Sequence, residues 1–98
     1  MAAPTYEWDR QKASANLEKH GVAFEEALTV FRDPLAKLHD DPDHSVSEPR
    51  QILIGHSTHG CLLLVAFTDR QGTIRLISAR KTNRRERRAY EESQSNVS

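Results

Sequence analysis

The second half of the chain contains three runs rich in Ile, Leu and Val, at 51–56, 61–68 and 73–79. Short glycine-containing segments, 57–60 and 69–72, separate them. Turns this short join antiparallel neighbours, so the pattern predicts a three-strand meander. One face of such a sheet has to be buried, and the first half must supply the cover.

The first half reads as a short strand followed by two helices. Thr5-Tyr6-Glu7-Trp8 alternates and has aromatic weight, which predicts a strand. Asp9 stands where a helix N-cap belongs. Residues 10–20 then read as a helix carrying Ala13 and Leu17 on one face, with Gly21 as its stop. Phe24, Ala27, Leu28 and Phe31 fall at i, i+3, i+4 and i+7, a helical stripe over 24–32. Asp33-Pro34 ends it, because the residue before proline disfavours helix. Residues 35–39 suggest a short strand, and 40–50, with three Asp, one Glu and two Pro, read as a loop. At the other end, Asn83 and Glu86 have capping-box spacing and open a helix over about 84–92. The expected fold is α+β: a small antiparallel sheet packed against two N-terminal helices, with a C-terminal helix.

The length of 98 residues fits one domain, 1–98, with an ordered core of about 5–92 and loose ends at 1–4 and 93–98. The single cysteine, Cys61, excludes an internal disulfide and suits a reducing compartment. No apolar run is long enough to span a bilayer, and the N-terminus has neither a basic start nor an apolar stretch. A cytoplasmic protein with no membrane contact is expected.

The net charge of zero hides a segregation. Residues 1–50 carry six Lys/Arg against ten Asp/Glu, and residues 51–98 carry eight against four. Between 70 and 88 there are eight basic residues and one acid, Glu86. A basic segment of this kind attracts a polyanion locally. On an ideal strand Ile74, Leu76, Ser78 and Arg80 share one face, and Arg75, Ile77, Ala79 and Lys81 share the other. At least one of Arg75 and Arg80 is then on the face away from the helices. Arg84, Arg87 and Arg88 fall at i, i+3 and i+4 and form a cationic ridge on the last helix. Arginine forks match phosphate oxygens in pairs, so strand and ridge together are a candidate cradle for a phosphodiester backbone.

Other chemistry is not indicated. The five histidines, at 20, 39, 44, 56 and 59, have no Cys or carboxylate at zinc-finger spacing. There is no P-loop, dinucleotide fingerprint or nucleophile elbow. No metal and no cofactor are expected. His20 caps the first helix through its dipole or serves in acid–base work. Trp8 belongs to the core or stacks on a base.

Tyr6-Glu7-Trp8-Asp9, Lys12, Asn16, Lys19-His20-Gly21-Val22, Phe24-Glu25-Glu26-Ala27 and Phe31-Arg32-Asp33 resemble the first half of a BrnT toxin. Arg50, Ile54-Gly55, Ile77-Ser78-Ala79-Arg80-Lys81, Glu86-Arg87 and Tyr90-Glu91 resemble the second half. The match spans roughly 6–91. The resemblance implies a RelE-like fold and an endoribonuclease toxin of a type II toxin–antitoxin system. It also implies a BrnA-like antitoxin with a ribbon-helix-helix DNA-binding domain, the two together repressing their own operon at its DNA.

RNA can be cut without a metal, by attack of the 2′-hydroxyl on the adjacent phosphorus. The step needs a base, an acid and cations around the phosphorane. Arg80 and Arg75 are the candidates for charge stabilisation, and Lys19, His20 and Lys81 for proton transfer. Arg50, Arg84, Arg87, Arg88, Trp8 and Tyr90 are candidates for holding RNA, although Tyr90 equally suits packing of the last helix. Two rival readings use the same basic segment: a non-catalytic nucleic-acid-binding module, and a module that docks an acidic partner.

Overall fold

The computed structural model describes residues 4–41 and 49–95. The chain runs β1 (Thr5–Glu7), α1 (Arg10–His20), α2 (Phe24–Val30), β2 (Lys37–Asp40), β3 (Gln51–His56), β4 (Leu62–Arg70), β5 (Thr73–Lys81) and α3 (Arg84–Ser95). The local signals act as expected. Asp9 Oδ1 accepts from the Lys12 N–H at 3.0 Å and starts α1, which ends at Gly21. Asn83 and Glu86 exchange side-chain and backbone hydrogen bonds at 2.8 and 2.9 Å, a complete capping box for α3. Gln71 and Gly72 both have positive φ, at 55° and 92°, and form the two-residue turn between β4 and β5. That geometry matches the twist of the paired strands and costs least with glycine in the second position.

The sheet order is β1-β5-β4-β3-β2. The meander β3-β4-β5 is antiparallel, and β2 adds antiparallel to β3. β1 pairs with β5 in parallel, so the sheet is mixed rather than purely antiparallel. Alternation marks a strand but not its direction, which is fixed by how α1 and α2 carry the chain away from β1. Two expectations about loops also change. Asp40 belongs to β2, while 42–48 lie outside the described residues. The last helix continues to Ser95, beyond the expected 92. Ser93 Oγ donates to the Tyr90 carbonyl at 2.7 Å and Gln94 Nε2 donates to the Leu35 carbonyl at 3.0 Å, which ties this last turn down.

α1 and α2 cover one face of the sheet. Val22, Phe24, Ala27 and Val30 meet Leu53, Leu63, Val65, Phe67, Ile74, Leu76 and Ala79 in one core. Burying side chains of this size is the main stabilising term. Trp8 packs against this core with its ring edge-on to Phe24 at 5.9 Å. Asn16 is buried in the same layer. Its side-chain amide donates to the Ala79 and Val22 carbonyls at 2.8 and 2.9 Å and accepts from the Ala79 N–H at 3.0 Å. β1 pairs only with Thr73–Arg75 of β5, so Asn16 supplies the hydrogen bonds that a longer edge strand would have made.

One irregularity decides which residues reach the second face. Leu76 lies opposite Phe67 and Ser78 opposite Ala66, so Ile77 is an extra residue in β5. A bulge of this kind reverses the alternation beyond it. Ile74, Leu76 and Ala79 all enter the helix-covered core. Arg75, Ser78 and Arg80 all face the other way. The expected division of β5, with Ser78 and Arg80 beside Leu76 and with Arg75 beside Ala79, is therefore corrected.

Candidate nucleic-acid interface

The second face is ordered by the strand register. Lys37 pairs with Ile54, Ile54 with Leu64, and Leu64 with Arg80, which makes one row across four strands. His39, Ile52, Ala66 and Ser78 make the next. The Asp41 N–H donates to the Arg50 carbonyl at 3.0 Å, which extends the β2–β3 ladder by one residue. Carried one step beyond Gln51 and Phe67, the register sets Arg50 beside Thr68, which pairs with Arg75. An apolar floor of Ile52, Ile54, Leu64 and Ala66 is thus rimmed by Lys37, His39, Arg50, Arg75 and Arg80. Arg50, Arg75 and Arg80 share this face although 30 residues separate the first from the last, with Arg80 two rows from Arg75.

Two of these cations are engaged. Arg75 Nη1 lies 3.6 Å from Glu7 Oε2. Arg80 forms a two-pronged pair with Glu86, Nη1 to Oε1 at 2.9 Å and Nη2 to Oε2 at 2.8 Å. Glu86 sits in the first turn of α3, so the pair fastens that helix over the second face. The hydrogen bonds from Arg80 outweigh burial and, with the Asn83 N–H, hold the Glu86 carboxyl below its ordinary range. The same bonds raise the Arg80 pKa further. The Thr68 hydroxyl beside Arg75 is buried and has no hydrogen-bond partner among the described residues.

α3 is anchored a second time at Tyr90, which is 6% exposed. Its hydroxyl donates to Asp33 Oδ2 at 3.5 Å, and its ring meets His56 edge-on at 5.5 Å. Burial pushes the Asp33 pKa up, but the N–H groups of His56 and Leu35, the His56 charge and the Tyr90 hydroxyl bring it below the usual value. Tyr90 is pushed up by burial first and then by the Asp33 carboxylate. Gly55 makes the approach possible. A Cβ there would come within 2.8 Å of Ala36 Cβ and 2.9 Å of Asp33 Oδ2.

The remaining candidates lie elsewhere. Glu86, Tyr90 and Ser93 face the sheet, and a helical period of 3.6 residues turns Arg84 and Arg88 away from it. Arg84, Arg87 and Arg88 are exposed, with Arg87 3.9 Å from Glu91. Lys81 pairs across from Leu63, a core residue, so it stands on the helix side of β5. Lys19 and His20 form the last turn of α1 on that same side, and Trp8 is part of the core there. Sequence reasoning missed Lys37 and His39, which come from the weakly patterned β2. It also missed Glu86 as the partner of Arg80, although their spacing across a strand end and a helix start was visible.

A family model described as the ribonuclease toxin BrnT of type II toxin–antitoxin systems matches residues 8–86. The chain belongs to the BrnT family. The crystal structure of the Brucella abortus ribonuclease toxin BrnT superposes with a TM-score of 0.63. It is 21% identical, and the match covers 82% of this chain and 99% of that one. At that identity the likeness speaks for the fold. No match is found among curated proteins. The BrnT assignment agrees with the three-helix, five-strand architecture. Among the described residues no group of three or more metal-ligating side chains is present, and no helix is long and apolar enough to cross a membrane.

Proposed function

We propose that this chain is an endoribonuclease toxin that cuts RNA, messenger RNA above all, on the second face of its sheet, as one domain acting in the cytoplasm. The observation that carries the reading is the placement of Arg50, Arg75 and Arg80 on one face around an apolar floor. RNA offers phosphates to such a rim and bases to such a floor. Membership of a ribonuclease toxin family supports the same chemistry. A RelE-like scaffold is compatible with the arrangement.

In this reading no metal takes part. Attack of the 2′-hydroxyl on phosphorus forms a 2′,3′-cyclic phosphate and breaks the bond to the 5′-oxygen. The phosphorane gathers negative charge, and Arg80 and Arg75, on one face with the Ser78 row between them, are the cations to stabilise it. The Arg80–Glu86 pair has to open, or to share Arg80, when phosphate arrives. Proton transfer by Lys19, His20 or Lys81 requires the substrate to pass round the Lys81 end of β5, because all three stand on its helix side and Asn16 caps the strand edge at Ala79. Arg84, Arg87 and Arg88 add long-range attraction rather than contact on this face. A type II system implies an antitoxin. A BrnA-like partner with a ribbon-helix-helix domain, masking the arginine face and repressing its operon, completes the reading.

The test is purified protein with a defined RNA in a metal chelator, with Arg80→Ala and His20→Ala alongside. Fragments ending in 2′,3′-cyclic phosphate, lost in Arg80→Ala at equal folded abundance, are expected. Full cleavage by a folded Arg75→Ala, Arg80→Ala double variant overturns the proposed face. RNA retention without any products would favour the non-catalytic binding module.

A further inference from the structure

α3 does not lie flat on the sheet. Between it and the β2–β3 edge is a cavity of about 370 Å³, lined by Lys37, His39, Ile54, Arg85, Ala89 and Tyr90, and by Glu86 and Ser93, whose side chains are already bonded to Arg80 and to the Tyr90 carbonyl. Its volume falls within the roughly 300–1,000 Å³ usual for small-ligand sites. Ile54 forms one wall, and Ala89 and Tyr90 of α3 the other. Lys37, His39 and Arg85 line it too, and no ion pair among the described residues engages Lys37 or Arg85. Ile54 also belongs to the row that ends at Arg80, three strand spacings from Lys37, which is about 14 Å. The cavity therefore lies on the cationic face, not on a separate surface.

We propose that this cavity is a nucleobase subsite, in which one base of the RNA strand slides between Ile54 and the Ala89–Tyr90 side of α3. The inference rests on the ribonuclease reading and adds to it where a base is held. Charge complementarity selects the ligand class: with the Glu86 carboxylate held by Arg80, an apolar slot flanked by Lys37 and Arg85 accepts a flat base and sets its phosphate against those two cations. The walls offer few hydrogen-bonding groups to read a base edge. Retention then depends on stacking and contact area, which every base supplies and purines supply best. The subsite holds purines over pyrimidines and discriminates weakly between adenine and guanine. It fixes the register of the strand, with the next phosphates running along the apolar floor toward Arg80.

Methyl-detected NMR titration of the full chain with 5′-AMP, 5′-GMP and 5′-CMP tests this. Saturable shifts of the Ile54 and Ala89 methyls are expected, with both purines tighter than CMP by about threefold or more. Ala89→Trp fills the slot from an exposed helix position and should weaken AMP by about tenfold, equivalent to roughly 1.4 kcal/mol. Lys37→Glu, which leaves the cavity open, should weaken it through the phosphate. Shifts confined to the surroundings of Arg50, Arg75 and Arg80 overturn the subsite while leaving the RNA-binding face in place. Unchanged AMP affinity in both variants also overturns it. Shifts at Ile54 and Ala89 with a Leu-containing acidic peptide, and none with any nucleotide, assign the slot to a protein partner and overturn the proposal. Cleavage of RNA without nucleotide shifts at Ile54 and Ala89 removes the subsite alone, whereas absence of both cleavage and binding removes the ribonuclease reading with it.

Discussion

Asn16→Ala should destabilise this fold more than its single polar side chain suggests. The amide makes three hydrogen bonds in a buried layer, to Val22 O, Ala79 O and Ala79 N–H. At about 1 kcal/mol net for each, the bonds sum to about 3 kcal/mol. The loss leaves the Ala79 N–H and two carbonyls without partners, so the cost does not fall much below that sum. A domain of this size has about 5–15 kcal/mol in total, so the variant remains folded but is severely weakened. The melting temperature should fall by about 12–24 °C, at about 4–8 °C per kcal/mol. Urea unfolding followed by the fluorescence of Trp8, the sole tryptophan, reads the change directly. Asn16→Asp sharpens the test. It retains an acceptor for the Ala79 N–H but turns a carboxylate toward two carbonyls. Its folded pKa should lie above the ordinary value near 4, so its stability is greatest in acid and is lost as pH rises through the folded pKa. A loss below about 1 kcal/mol in Asn16→Ala would refute the edge-capping argument. So would an Asn16→Asp variant whose stability, relative to the parent, falls in acid.

Glu86→Gln removes the carboxylate that competes with phosphate for Arg80. It should raise RNA affinity in fluorescence anisotropy while lowering stability by about 1 kcal/mol, since the pair is partly exposed. Gly55→Ala pushes a Cβ against Ala36 and Asp33 and should cost about 1–3 kcal/mol in urea unfolding, with the docking of α3 lost first. Asp33 and Glu86 both have depressed folded pKa values, so their contribution is present above the ordinary carboxylate range and lost as pH falls through the folded values. Acid should therefore release α3 before the core opens, seen as exchange broadening at Tyr90 while Val65 and Leu76 remain unchanged. RNA affinity should fall with salt, and Arg75→Ala should reduce the slope of log K against log salt by about 0.7.

Much of this protein follows from local rules that act over a few residues. Asp9, Gly21, Asn83 with Glu86 and the Gln71-Gly72 turn place element boundaries because their side chains or dihedrals satisfy nearby backbone groups. Period-two and period-3.6 patterns identify the meander and the stripe of α2. The segregated charge and the motif residues from Trp8 to Glu86 point to the family. The site was only partly legible. Arg50, Arg75 and Arg80 were visible as residue types, but their shared face was not. The bulge at Ile77 reverses the alternation of β5, and whether a strand bulges depends on the partner strand it has to match. The parallel pairing of β1, the location of Lys37 and His39, and the separation of Lys19, His20 and Lys81 from the arginines are non-local in the same way. So is the fate of the last helix, whose arginine ridge faces solvent while Glu86 and Tyr90 hold the sheet. Helix spacing says which residues share a side, but only contacts with Arg80 and Asp33, far along the chain or across a strand end, decide which side turns inward.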